Sequence, residues 1–345
     1  MKANASGLKG ETGDELELFM RNGLGAMDIF NLKPPDAPLP AVNSPIGEDQ
    51  AVLLLEWIQY LTEVCSESMP NRFQRSIMEG KWLKTHRGYE SPNKSFLYNI
   101  EWSSAGVKLN DLSFLDCCFC SRNMNEFKGV LQRIGVFVEF GMGCEEVAKI
   151  VQTHRDTQVI TRLYKYLHLF HWRPSNVSSL KIWIPIPYSG GLAGVWKDSE
   201  MCVVHDDDGL FDGRLQILDR FYEHTLLPFF SSHLGVSLRP RIEDYCNLWL
   251  DWIRSNHVVT EPECCSVWRN ILKHWRESPS AIKRLLPKQG SKFPAHTSSG
   301  HIQICVPHET FIPDDLRLKE LFRKASTKVK FAWHPNHPDP KIPLD

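Results

Sequence analysis

The chain has 345 residues, 42% hydrophobic and 23% charged, with a formal net charge of −1 at pH 7. This composition excludes a disordered, collagenous or membrane-spanning class, and the length suffices for two or three cores of ordinary size. Balanced charge removes the simplest basis for binding nucleic acid or an anionic membrane, which needs a basic excess or a concentrated basic patch.

Met1 is followed by Lys2, Gly7, Lys9 and acidic residues rather than by an apolar signal core, so secretion is not expected. The ten cysteines sit mostly in apolar or helical segments, for example Cys65, Cys246, Cys264 and Cys265. That placement suits reduced, buried thiols of an intracellular protein. After a short helical stretch near Glu15–Arg21, five prolines between Asn31 and Pro45 read as an extended connector. Glu48–Val64 follows as an amphipathic helix, with Leu54, Trp57, Ile58 and Leu61 on one face. Pro70–Glu79 is a second helix, ending at Gly80.

A hairpin is expected over Gly80–Trp102, with a Trp82-Leu83 strand, a His86–Asn93 connection and a return strand over Ser95–Ile100. Glu126–Ile134 reads as helix, Gly135–Phe140 as a short buried strand, and Cys144–Leu169 as one or two helices. Lys181–Ile186 and Gly194–Trp196 are strand pieces about the turn Ser189-Gly190-Gly191. Cys202–His205 is another strand, closed by Asp206-Asp207-Asp208-Gly209. Leu215–Phe230 reads as helix up to a break near Pro228. Asp244–Ser255 and Pro262–Arg276 are helices, the latter with proline in its first turn. A third hairpin is expected over Gly300–Ile312, then a helix Asp315–Lys324 and a strand Val329–Trp333.

One pattern returns. Glu48-Asp49-x5-Leu55-Glu56-Trp57-Ile58 recurs without a gap as Glu243-Asp244-x5-Leu250-Asp251-Trp252-Ile253, 195 residues further on, and Leu53 matches Leu248. Ile134-Gly135-Val136 is echoed by Leu234-Gly235-Val236. Self-similarity at a fixed distance points to repeated modules. The expected fold is α+β and helix-dominated, with two to three modules of about 100 residues joined by short β-hairpins. The expected divisions are an irregular Pro-rich segment 1–47, modules over 48–140 and 141–236, and a third over 237–345 that breaks off after Pro335.

The stretch Gly80-Lys-Trp-Leu-Lys-Thr-His-Arg-Gly-Tyr-Glu-Ser-Pro-Asn-Lys-Ser-Phe-Leu-Tyr98, with Glu101-Trp102, resembles the plant No Vein and No Vein-like family. The likeness continues through Ile134–Glu139, Trp196–Asp198, Val204–Phe211, Glu263–Arg269 with Leu272–Trp275, and Phe311–Asp315. Members of that family are sacsin-related and carry a histidine-kinase-like ATPase domain. The resemblance places this chain outside that domain, because the Asn-bearing helix, Asp-x-Gly-x-Gly turn and Gly-rich lid are not legible. It implies a non-catalytic scaffold or protein-interaction region serving plant development and cell patterning. It further implies protein partners and a nuclear location, with the cytoplasm as the other intracellular choice. No cofactor, membrane or nucleic-acid partner is expected.

Candidate sites are weighed beside this. His205, Asp206 and Asp208 on the acidic turn offer hard oxygen ligands for Mg²⁺ or Ca²⁺. An EF-hand register fails, since it would start at Val204 and close at Leu215. A solvated turn leading into the next element explains the same residues. His296, His301, Cys305 and His308 form a second cluster, but no familiar zinc spacing is met there. Cys117-Cys118-Phe119-Cys120 and Cys264-Cys265 are too close-set for a zinc knuckle. Phe140-Gly-Met-Gly143 and Asn22-Gly-Leu-Gly25 are lone Gly-x-Gly pairs. The competing functional expectation is an ATP-dependent chaperone-like or hydrolytic enzyme acting at His205–Asp208. Of the eleven tryptophans, Trp57, Trp249 and Trp252 lie on amphipathic stripes and are expected in the core. Trp82 and Trp196 are expected to plug hairpins onto their helices.

Overall fold

Apolar residues three and four apart make the first helix, α1 (Glu48–Glu63), amphipathic. It buries Ala51, Leu54, Leu55 and Ile58, while Trp57 is only half-buried at the margin of the stripe. The computed structural model describes residues 46–63, 71–116, 123–176, 180–186, 193–286, 292–296, 301–312, 317, 321–322 and 329–333. The Pro-rich segment, the cysteine run 117–120, the turn 189–191 and most of the expected helix 315–324 lie outside these residues. The fold is α+β and helix-dominated. No helix among the described residues is long and apolar enough to cross a membrane. The chain divides into two compact units, Met1–His154 with Lys165–Phe170, and Arg155–Tyr164 with His171–Asp345.

In the first unit, α2 (Asn71–Glu79) leads to Trp82, which is fully buried and donates its indole N–H to the Ile77 carbonyl at 2.8 Å. Strands β1 (Leu83–Thr85) and β2 (Gly88–Glu90) pair antiparallel with Thr85 opposite Gly88. The turn is therefore only His86-Arg87, shorter than the predicted His86–Asn93 connection. Residues Pro92–Lys94 form a 3-10 turn, which proline starts at no cost because its missing N–H is not needed there. Helix α3 (Ile100–Ser104) was not expected. Asn99 nucleates it by accepting hydrogen bonds from the Glu101 and Trp102 N–H groups.

Helix α4 (Lys128–Arg133) continues a 3-10 turn over Met124–Phe127 and stops at Gly135, whose φ is +98°. Gly135 N–H donates to the Gln132 carbonyl and Val136 N–H to that of Leu131, a paired C-cap that needs a left-handed residue. That cap uses the start of the predicted strand Gly135–Phe140, which shrinks to a single bridge at Phe137. Helices α5 (Cys144–Thr153) and α6 (Thr157–Leu169) are separate, because Asp156 caps the second through the Gln158 and Val159 N–H groups. The unit's core joins the apolar face of α1 to Trp82, Leu83, Phe127, Val130, Leu131 and Ile134.

In the second unit, β3 (Lys181–Pro185) and β4 (Gly194–Asp198) form a five-residue antiparallel ladder. Strand β5 (Cys202–Val203) runs parallel to β6 (Gln216–Ile217). The predicted helix Leu215–Phe230 is not formed. Its start is β6 and a 3-10 turn over Leu218–Arg220, and only α7 (Leu227–Ser232) is helical. Pro228 explains the outcome: it lacks an N–H and its ring opposes a preceding helical turn, so it opens a helix instead of extending one.

Helix α8 (Ile242–Ser255) ends at Asn256 in the left-handed region. Helix α9 (Glu261–Glu277) starts with a Thr260/Glu263 capping box, and α10 (Pro279–Leu285) follows. Strands β7 (Phe293–His296), β8 (Ile302–Cys305), β9 (Thr310–Phe311) and β10 (Lys330–Ala332) form one sheet in the order β8-β7-β10-β9. The third hairpin thus begins at Phe293, upstream of the predicted Gly300. Trp249, Trp252, Cys264, Val267 and Ile271 centre the core beneath it.

One succession of backbone elements occurs at three places. Hairpins β1–β2, β3–β4 and β7–β8 are each followed by a three-residue 3-10 turn, at Pro92–Lys94, Ser199–Met201 and Pro307–Glu309. Each turn closes on the N–H of the next residue, Ser95, Cys202 or Thr310. The chain then extends. Phe96 pairs parallel with Phe114 and with Phe137; Val203 pairs parallel with Ile217 and with Ser237; Phe311 pairs parallel with Phe331.

The matched Glu-Asp helices follow a different rule. Leu53 is exposed where Leu248 is buried, and Leu55 is fully buried where Leu250 is half-exposed. The buried stripe of α8 (Tyr245, Trp249, Trp252) is offset by one position from that of α1 (Ala51, Leu55, Ile58), about 100° of helical rotation.

Candidate functional site

The acidic turn is built where β5 runs out. Past Val204 the His205 N–H donates to the Leu238 carbonyl at 2.9 Å. His205 Nδ1 lies 2.7 Å from Asp219 Oδ2. Asp206 Oδ2 accepts the Phe211 N–H at 2.9 Å, so this carboxylate shapes the turn from within. Its Oδ1 is buried without a hydrogen-bond partner among the described residues. Asp207 pairs with Arg239 at 2.9 Å in the open.

Asp208 fastens the turn to two helices. It accepts the Tyr245 hydroxyl of α8 at 3.1 Å and the Ser266 hydroxyl of α9 at 2.9 Å. Burial, first, and then the neighbouring Asp208 push the Tyr245 phenol well above its ordinary value, so it remains a donor. Phe211 packs edge-on against the Tyr245 ring at 5.0 Å, so an aromatic contact underlies the polar one. The four polar side chains of His205–Asp208 thus each have a structural partner.

Asp206 occupies the position that Asn99 holds after the first hairpin, and both accept N–H groups from the turn that follows. Phe311 takes the register position of Val203 after the third hairpin. An apolar pair followed two residues later by Asn or Asp is therefore a strand-then-cap signature. Sequence reasoning took its acid for a possible metal ligand. Asp219, Tyr245 and Ser266 were missed, since partners 14 to 58 residues distant leave no local signal.

The second cluster is spread out. His296 pairs with Ile302 at one end of the β7–β8 ladder and Cys305 with Phe293 at the other. Cys305 is buried, His301 is exposed, and His308 is exposed in the 3-10 turn. Among the described residues, no group of three or more His, Cys, Asp or Glu could hold a metal ion. In the Phe140–Gly143 pair, a Cβ on Gly141 would lie 2.5 Å from the Phe170 ring and one on Gly143 2.7 Å from Phe137. Ring packing accounts for both glycines. His171 stacks on His233 with ring centres 5.5 Å apart. Trp249 and Trp252 are core residues, and the Trp249 indole donates to the Lys292 carbonyl. Trp196 is half-buried, edge-on to the buried Trp183.

Compared with protein-family models, curated proteins and solved structures, the chain gives no match.

Proposed function

We propose that this chain is a non-catalytic scaffold or protein-interaction region, of the kind that its resemblance to No Vein-like, sacsin-related proteins implies. The observation that carries the reading is the use of the acidic turn. His205, Asp207 and Asp208 meet Asp219, Arg239 and the Tyr245 and Ser266 hydroxyls, and Asp206 caps its own turn. These groups hold a strand against two helices, which is architectural work. The thrice-occurring hairpin, 3-10 turn and strand supports a modular build, since stacked units present extended surfaces to partners. Protein partners, a role in plant development and a nuclear location belong to the same proposal and rest on the resemblance alone.

Calorimetric titration of the purified chain with Mg·ATP, together with a phosphate-release assay, tests this. Neither heat of binding nor turnover is expected. Saturable ATP binding abolished by Asp206→Asn would overturn the scaffold reading.

A further inference from the structure

The balanced charge of the chain hides a local surplus. Residues 268–286, the second half of α9 together with α10, carry Arg269, Lys273, Arg276, Lys283 and Arg284 against Glu277 alone, a surplus of four. The net charge of the chain is −1, so the remainder carries −5. Helical spacing gathers three of the cations. Arg269, Leu272, Lys273 and Arg276 fall at i, i+3, i+4 and i+7 of α9, on the side away from the buried Cys264, Val267 and Ile271. All four are exposed, Leu272 at 41%. Lys283 of α10 reaches across, its Nζ 5.6 Å from the centre of the Trp275 ring, which is itself 39% exposed. The cations of α10 therefore border the α9 stripe.

These charges have no counter-charge within the fold. Among the described residues Lys273, Arg276, Lys283 and Arg284 make no ion pair, and Arg269 meets only the Cys265 thiol, at 3.3 Å. Glu277, four residues after Lys273, pairs with none of them. In the same unit Arg214 and Arg254 both meet Asp251, Arg220 meets Asp212, and Arg239 meets Asp207. Cations in a last helical turn complement the helix dipole, which accounts for Arg276, Lys283 and Arg284. It does not account for Arg269 and Lys273 in the interior of α9, where like charges three and four residues apart weaken the helix. A stripe that costs folding stability and stays unpaired is suited to an anionic partner from outside.

We infer that the outer face of α9, formed by Arg269, Leu272, Lys273 and Arg276 with Lys283 and Arg284 beside it, docks an acidic amphipathic helix of a partner protein. Charge complementarity names the acidic chemistry. The apolar residues name the rest. Leu272 sits among the cations and Trp275 at their border, so the partner carries aliphatic side chains between its carboxylates, as one helix face does. A nucleic acid is the poorer match. A phosphodiester strand has nothing to cover Leu272, and the Trp275 ring already carries Lys283 over it. The negative remainder of the chain also repels a polyanion that runs past the patch. The inference rests on the scaffold reading and names the class of partner.

Fluorescence anisotropy of the whole chain with a labelled Glu/Leu helical peptide of about fourteen residues tests the inference. Saturable binding is expected, weakened several-fold when salt rises to ~0.5 M. The double variant Lys273→Glu with Arg276→Glu should weaken binding at least ~tenfold, and Leu272→Asn at least ~threefold, with the melting temperature lowered in neither. Lys283→Gln with Arg284→Gln, on the other helix, should weaken binding too, and it decides the matter if the α9 variant loses its fold. Single-stranded DNA of equal charge should bind more weakly than the peptide. Absence of peptide binding, binding unchanged in the charge variants, or DNA binding tighter than the peptide overturns the inference. Nucleotide titration does not probe this face and the peptide does not probe the acidic turn, so failure of the docking face is told apart from failure of the scaffold reading.

Discussion

Replacing Trp252 by alanine and Trp57 by alanine compares two positions that the sequence aligns and the structure separates. Trp252 is buried, edge-on to Trp249 at 6.1 Å and stacked on His257 at 5.1 Å. A buried indole removes roughly 150–250 Å² from water, and at about 25 cal/mol per Å² this amounts to about 4–6 kcal/mol, an upper estimate. Truncation to alanine leaves a cavity that a helix pair cannot fill, so the expected loss is about 3–5 kcal/mol. Trp57 is half-buried beside its core, and water can occupy the space its ring leaves, so about 1–2 kcal/mol is expected there. For a unit of this size 1 kcal/mol moves the melting temperature by roughly 2–4 °C. Trp252→Ala should therefore lower the melting of the second unit by roughly 10 °C, and Trp57→Ala that of the first by roughly a third as much. Calorimetry, supported by urea titration followed through tryptophan fluorescence, reads both. Equal shifts in the two variants, or none in Trp252→Ala, would show that the one-position offset between the helix faces is wrong.

Asp208→Ala should cost about 1–3 kcal/mol in urea denaturation, because it strips the Tyr245 and Ser266 hydroxyls of their acceptor. Asp207→Ala should cost under about 1 kcal/mol, its ion pair with Arg239 being solvent-exposed. Gly135→Ala should cost about 1–2 kcal/mol for a left-handed L-residue alone, with more from a Cβ placed 2.9 Å from the Met78 methyl; thermal melting measures it. Burial pushes the Cys202 thiol up to about 12 and that of Cys246 to about 11, so neither forms appreciable thiolate at mildly alkaline pH. Peptide mapping after iodoacetamide treatment should find both unmodified in the folded chain and modified in guanidinium; ready alkylation of the folded chain would contradict their burial.

Local chemistry was legible wherever one residue's own preferences decide the backbone. Helices α1, α2, α8 and α9 fall where apolar spacing and capping residues put them, within a residue or two, and the span Cys144–Leu169, read as one or two helices, holds two. The β3–β4 hairpin falls where its apolar runs flank a glycine pair. Leu215–Phe230 shows the limit, because helical spacing there lost to pairing of Gln216-Ile217 with β5 and to Pro228. The acidic turn was found as a feature and misjudged in role, since the hydroxyls that use Asp208 come from helices far along the chain.

The amino-acid sequence by itself determined the longer helices and where they end, because these depend on neighbours within a turn or two. The Gly135 and Gly235 echo is such a case: it encodes helix termination, which any short helix turning back into a strand requires. Tertiary structure alone decided which face of each Glu-Asp helix is buried, since a one-residue rotation is set by the core it meets. It alone showed that Phe96, Val203 and Phe311 share one register, because parallel pairing joins segments 14 to 41 residues apart with no local code.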